Sequence, residues 1–157
     1  MRCFAPVLLA VLLTGCAPSL IAGTNIEDTP ENREIVGLVD TYRKAVEERD
    51  EVTLLRMVSR KYNENGSTTD TQDDDYGYGT LTDQVLPQLH DNVKEIHYRV
   101  QIRRIGRPDA EHAYAEFEFL ARFLYAEGGR EKWQTLNDFN RLDLVLEDGA
   151  WKIESGL

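Results

Sequence analysis

Asp138 and Asn140 stand where chemistry has to be explained. They lie in a run that ends in Leu142, Leu144 and Leu146, and a strand's period of two puts them all, with Leu136, on one face. A carboxyl and an amide in an apolar wall are hydrogen-bonded or functional. Lining a pocket, they could orient a ligand or move a proton. A second reading of the run is open: a bulge near Phe139 would flip the parity, send Trp133 and Phe139 inward and leave Asp138 in water. Asp70, Asp73, Asp74 and Asp75 offer oxygen ligands of the kind calcium takes. The spacing misses the calcium-loop pattern, because the next acidic position and the closing Glu are absent, so a solvated acidic loop is expected. His90, His97 and His112 have no metal-ligand spacing. The chain has no Gly-x-Ser-x-Gly elbow and no phosphate-binding glycine loop. No metal site and no cofactor is expected.

The bulk composition narrows the classes further. Twenty-eight acidic residues against 18 basic ones give a net charge of −10 over 157 residues. Phosphate-backbone binding needs a basic footprint, so no nucleic-acid partner is expected. The length suits one domain. Residues 1–16 read MRCFAPVLLAVLLTGC: a positive start at Arg2, an apolar stretch from Phe4 to Leu13, then Leu13-Thr14-Gly15-Cys16. The apolar stretch falls short of the ~18 residues of a spanning helix and suits a signal-peptide core.

The elements that would position the candidate residues follow from periodicity. Residues 17–28 have no period and suit a tether. Thr29-Pro30 is a helix start, and Ile35, Leu38, Val39, Tyr42 and Val46 make one apolar stripe, with an end near Arg49. Asp50 can cap a second helix through Val58. Residues 59–79 suit a loop with a short strand near Tyr62. A third helix is expected from Thr80 to about Asn92, with Pro87 kinking or breaking it. The period then changes to two. Ile96, Tyr98, Val100 and Ile102 mark one strand. Ala113, Ala115, Phe117, Phe119, Ala121, Phe123 and Tyr125 mark the inner face of the next. A third runs over about Lys132–Leu146, and Asp148-Gly149 turns into a last short strand around Trp151-Lys152-Ile153. Helices followed by four antiparallel strands predict an α+β domain. Leu120 and Leu124, among charges on the outer face, suggest a homodimer through that face.

Two resemblances sharpen this. Leu13-Thr14-Gly15-Cys16 resembles a bacterial lipobox. That likeness implies that residues 1–15 are a lipoprotein signal peptide, that Cys16 is lipidated and that residues 16–28 tether the domain outside the cytoplasm. The membrane contact would then be acyl chains. Ala17 is not the Asp that retains such lipoproteins at an inner membrane, so an outer membrane is favoured where there are two. Without Cys3 and Cys16 the mature domain has no cysteine to form a disulfide.

Residues 29–157 resemble the nuclear transport factor 2-like superfamily, with its SnoaL-like cyclases and ketosteroid isomerases. The likeness rests on Val39-Asp40-Thr41-Tyr42 with Ala45-Val46, on the Arg49-Asp50 step into Leu54-Leu55, and on Asp148-Gly149-Ala150-Trp151-Lys152-Ile153. It implies a cone, with a curved sheet wrapped around the first helix and an apolar pocket inside. It also implies catalytic candidates: Tyr42 as oxyanion donor, and Glu64 or Asp138 as base. Gly66 stands at the position of the family's base, and Glu64 is two residues away. The expectation is therefore a lipid-anchored, extracytoplasmic, non-catalytic domain. It would bind a small apolar ligand with Tyr42, Tyr98, Phe117, Phe119, Trp133 and Asp138, or a protein partner. The alternative is an isomerase, cyclase or dehydratase of a small apolar substrate.

Overall fold

The computed structural model describes residues 18–65, 75–127 and 129–157. The expected signal peptide, Cys16 and the acidic positions 70, 73 and 74 lie outside the described residues. Helix α1 (Pro30–Glu48) starts where Thr29 caps it, its hydroxyl accepting the Asn32 amide at 3.2 Å. Ile35, Val39, Tyr42 and Ala45 form its buried stripe. It stops at Arg49, which turns left-handed (φ 56°) and donates from its guanidinium to the Val93 carbonyl at 2.6 Å. Asp50 then caps α2 (Glu51–Met57), accepting the Thr53 amide at 3.0 Å and the Thr53 hydroxyl at 2.5 Å. These two bonds, the hydroxyl's first, hold the Asp50 carboxyl below the usual carboxylate range.

Short strands β1 (Asn63–Glu64) and β2 (Tyr76–Gly77) pair with each other. The next helical stretch begins at Tyr78, two residues before the expected start. It runs through α3 (Tyr78–Thr80), a π-helical turn (Leu81–Val85) and α4 (Leu86–Asn92). In the wide turn the Leu86 amide donates to the Leu81 carbonyl. The distortion lies just before Pro87, which has no amide to offer an α-helical partner and whose ring would crowd one.

Strands β3 (Val93–Gly106), β4 (His112–Glu127), β5 (Arg130–Glu147) and β6 (Ala150–Ser155) form an antiparallel sheet in that order. The β5–β6 turn uses Asp148 (φ 50°) and Gly149 (φ 78°), the left-handed pair a tight hairpin needs. At Gly106 a Cβ would sit 2.1 Å from the Tyr114 ring, so no larger residue fits there as the chain stands. The concave face packs on the helices, and Phe117, Ile35, Leu54, Leu81, Leu86, Leu142, Leu144 and Ile153 are fully buried between them. This is an α+β cone, a curved four-stranded sheet around N-terminal helices.

Residues 18–28, expected as tether, do not simply trail away. Leu20 bridges to Glu27, and Ile26 is buried in the core. An apolar side chain this close to α1 gains more from burial than a free linker would.

The β4–β5 register is unbroken from Glu127↔Arg130 to His112↔Val145. No bulge flips the parity near Phe139. Asp138 therefore stands opposite Phe119, and Asn140 opposite Phe117, on the concave face. Trp133 stands opposite Leu124, and Phe139 opposite Glu118, on the outer face.

Candidate functional site

An apolar pocket of about 190 Å³ opens where α1 ends. Val46 supplies one wall from α1 and Leu89 another from α4. Val93, Ile96 and Tyr98 come from β3, and Ala121 and Phe123 from β4. The space exists because small Ala121 sits between Phe119 and Phe123 on the same face of β4. For scale, an apolar cavity of roughly 150 Å³ is enough to bind benzene.

Tyr98 is the one expected ligand-binding residue that lines this pocket. Its hydroxyl turns inward, toward the Tyr42 hydroxyl. Burial pushes both phenols' pKa values up, so both stay protonated; for Tyr42 the neighbouring Tyr98 hydroxyl partly opposes that rise. Tyr42 is 5% exposed, edge-on to Tyr98 (centroids 6.1 Å apart, planes at 81°) and 6.1 Å from the Phe117 ring. Phe117 is fully buried, and Phe119 is half-buried 5.5 Å from Tyr98. Tyr42 and Phe117 thus fill the middle of the cone, and neither lines the pocket. The shape of the pocket rests on them from behind.

The carboxylates lie elsewhere. Glu64 sits on β1 with its oxygens engaged. Oε2 accepts the Tyr62 hydroxyl at 3.0 Å and the Gly156 amide at 2.7 Å, and Oε1 accepts the Asn65 amide at 3.2 Å. The Tyr62 hydroxyl also accepts the Leu157 amide at 3.1 Å, so this cluster ties down the last residues of the chain. It opens on a polar groove of about 810 Å³ that runs over the β5 edge past Tyr76, Asn140 and Arg103. That groove shares no residue with the apolar pocket.

Asp138 and Trp133 correct the expected pocket. Asp138 is on the concave face but exposed, because no described helix covers that part of β5, and its Oδ1 accepts the neighbouring Phe139 amide at 2.7 Å. Trp133 is on the outer face, 43% exposed. It is stacked by His97 at 5.8 Å, with the Arg122 guanidinium 4.5 Å from its ring. Tyr42, Glu64 and Asp138 therefore do not converge on one cavity. The expected list missed Val46, Leu89, Val93, Ile96, Ala121 and Phe123. The available signal was the alanine at 121 in a phenylalanine stripe, which marks missing volume. No group of residues able to hold a metal ion occurs among the described residues.

Several solved structures share this architecture. A ketosteroid isomerase-like protein from Erwinia carotovora atroseptica superposes with a TM-score of 0.63 at 13% identity, covering 82% of this chain and 95% of that one. A protein from Novosphingobium aromaticivorans, provisionally described as a scytalone dehydratase, gives 0.67 at 14% identity over 80% of each chain. A type 2 hexachlorocyclohexane dehydrochlorinase gives 0.60 at 17%, covering 80% of this chain and 82% of that one. At these identities the likeness is one of fold: the chain has the nuclear transport factor 2-like cone. No family model matches the sequence, and no curated protein does.

Proposed function

We propose, from the premise of that cone, that the protein is a lipid-anchored, extracytoplasmic binding domain that holds a small apolar ligand and does no acid–base chemistry on it. The observation that carries this reading is the pocket at the end of α1: about 190 Å³, walled by aliphatic and aromatic groups, with its one hydroxyl turned away to Tyr42. An acid–base enzyme needs two such groups in reach of one substrate. Here Glu64 faces a separate groove and Asp138 faces water. Anchoring rests on Leu13-Thr14-Gly15-Cys16 and on the apolar run before it.

Two experiments test the reading. A naphthalene-sized fluorophore should bind saturably to the chain. Ala121→Leu, which fills the pocket, should weaken binding about tenfold or more, and Trp133→Ala should leave it unchanged. Equal binding to the Ala121→Leu chain would end the ligand reading. Turnover of an isomerase, cyclase or dehydratase substrate, lost in Tyr42→Phe, would instead carry the enzymatic alternative. For the anchor, Cys16→Ser should move the protein from the membrane fraction to the soluble one and remove acyl mass from its N-terminus.

A further inference from the structure

The outer edge of β5 is paired with described residues over only part of its length. β6 pairs with β5 only over Asp143–Glu147, although β5 starts at Arg130. The last residues of the chain close the next stretch: the Gly156 carbonyl accepts the Asn140 side-chain amide at 2.8 Å, and a Cβ on Gly156 would meet the Arg141 carbonyl. Over residues 133–139, β4 pairs on one side and no described residue pairs on the other. Edges of this kind are normally blunted by charge, proline or a bulge. This one has no proline, no bulge and a single charge, Asp138. It exposes Trp133 (43%), Leu136 (43%) and Phe139 (70%).

The backbone shows which amides face outward. The Phe139 amide donates to its neighbour's side chain, Asp138 Oδ1 at 2.7 Å, and the Arg141 amide to Asn140 Oδ1 at 2.8 Å. Amides alternate in direction along an antiparallel strand, so the odd-numbered residues of this stretch present N–H and C=O to the open edge.

The sequence of the edge is complementary to itself. If a second copy lies antiparallel, with a two-fold axis through Leu136 normal to the sheet, Trp133 meets Phe139 of the other copy. Thr135 then meets Asn137, Gln134 meets Asp138, and Leu136 meets itself. Every pair joins like faces. The odd pairs, which carry the outward amides, become the hydrogen-bonded ones. Moving the axis to Thr135 puts Phe139 against Glu131 and Trp133 against Asn137; moving it to Asn137 puts Phe139 against Thr135 and Trp133 against Arg141. Of these three registers, only the one centred on Leu136 pairs all the exposed apolar groups with one another. Aromatic cross-strand pairs are among the favourable ones. Asp138 guards the edge by holding the Phe139 amide, and Gln134 of the second copy offers its carboxylate a replacement donor.

We infer that the protein pairs with a second copy of itself through the β5 edge, in the register centred on Leu136, so that one sheet runs through both molecules. The test uses the full chain in mild detergent. Leu136→Cys should form a disulfide-linked dimer on mild oxidation, because a non-hydrogen-bonded pair brings the two Cα atoms to about 4.5 Å, within disulfide range. The parent chain, with Cys3 and Cys16, sets the background. Gln134→Cys alone should not cross-link, whereas the double variant Gln134→Cys/Asp138→Cys should. Thr135→Pro removes one outward amide and leaves the β4 ladder whole. It should weaken dimerisation in sedimentation about tenfold or more while the circular dichroism spectrum stays unchanged. Three results overturn the inference: a parent chain that sediments as a monomer at high micromolar concentration, Leu136→Cys cross-linking no better than Leu120→Cys, or a dimer that survives Thr135→Pro and is lost in Leu120→Asp. The last would assign pairing to the outer face of the sheet.

Discussion

The two halves of β5 share one alternation and live in different surroundings. Leu142 and Leu144 are buried to within 1% under the helices and beside β6, while Leu136, on the same face, is 43% exposed. Phe139 is 70% exposed on the other face. The difference teaches that a period of two assigns a side of the sheet and says nothing about what lies over that side. The covered half supplies Leu142 and Leu144 to the core. Over the bare half no described residue pairs with the edge, and the side chains of residues 133–139 are exposed.

The largest break in this comparison should come from the covered half. Leu142→Ala should lower the unfolding free energy by about 2–5 kcal/mol in a urea titration, since it deletes a fully buried side chain under the helices. An effect no larger than a surface mutation's would mean that the two halves do not differ. Tyr98→Phe comes next. It removes the hydroxyl that faces Tyr42's buried one and should cost about 1–3 kcal/mol, with most of it recovered in the Tyr42→Phe/Tyr98→Phe double variant, where neither oxygen is left unpaired.

Two tyrosine pairs, Tyr42 with Tyr98 and Tyr62 with Tyr76, set an alkaline limit. Burial raises the folded pKa values of Tyr42, Tyr62, Tyr76 and Tyr98. The unfolded chain therefore loses these protons first. The stability they contribute is whole below the unfolded value of about 10 and is lost as the pH rises beyond it. Tyrosinate absorbance from Tyr42 and Tyr98 should appear together with unfolding; their ionisation in the native state would show that the cone is open to water. Asp50 works at the other end with a smaller effect. Its folded pKa is lowered, so its contribution is present above the unfolded value of about 3.9 and falls away as acid protonates the folded carboxyl. Asp50→Asn keeps a cap and should flatten that acid slope in melting curves. The smallest change belongs to the bare half: Phe139→Ala in dilute monomer should stay within about 0.5 kcal/mol. A cost that grows with protein concentration would sharpen the comparison, because it would place Phe139 against a second copy.

Much of this was legible beforehand. Thr29 and Asp50 cap where their side chains predict, the strands follow the alternation from Ile96 to Ile153, and Asp148-Gly149 turns the last hairpin. Capping and alternation are local physics, satisfied within a few residues of chain. Pro87 predicted a disturbance, and the π-helical turn just before it is the form it took. The pocket was harder to read. Tyr98, Tyr42 and Phe117 all stand in apolar stripes, and a stripe does not tell a residue beside empty space, as Tyr98 is, from one that fills it, as Tyr42 and Phe117 do. Trp133 faces inward only if a bulge flips the parity near Phe139, and the unbroken register puts it outward.

The sequence by itself determined the α+β order, the first two helix starts, the last hairpin and the inward faces of β3 and β4, because each depends on neighbours one to four positions away. Tertiary structure alone decided that Glu64 and Tyr42 face different spaces. It alone left Asp138 in water without changing its face, and put the pocket beside Ala121. Those outcomes depend on where the helices stop covering the sheet, a distance set by the packing of residues far apart in the chain.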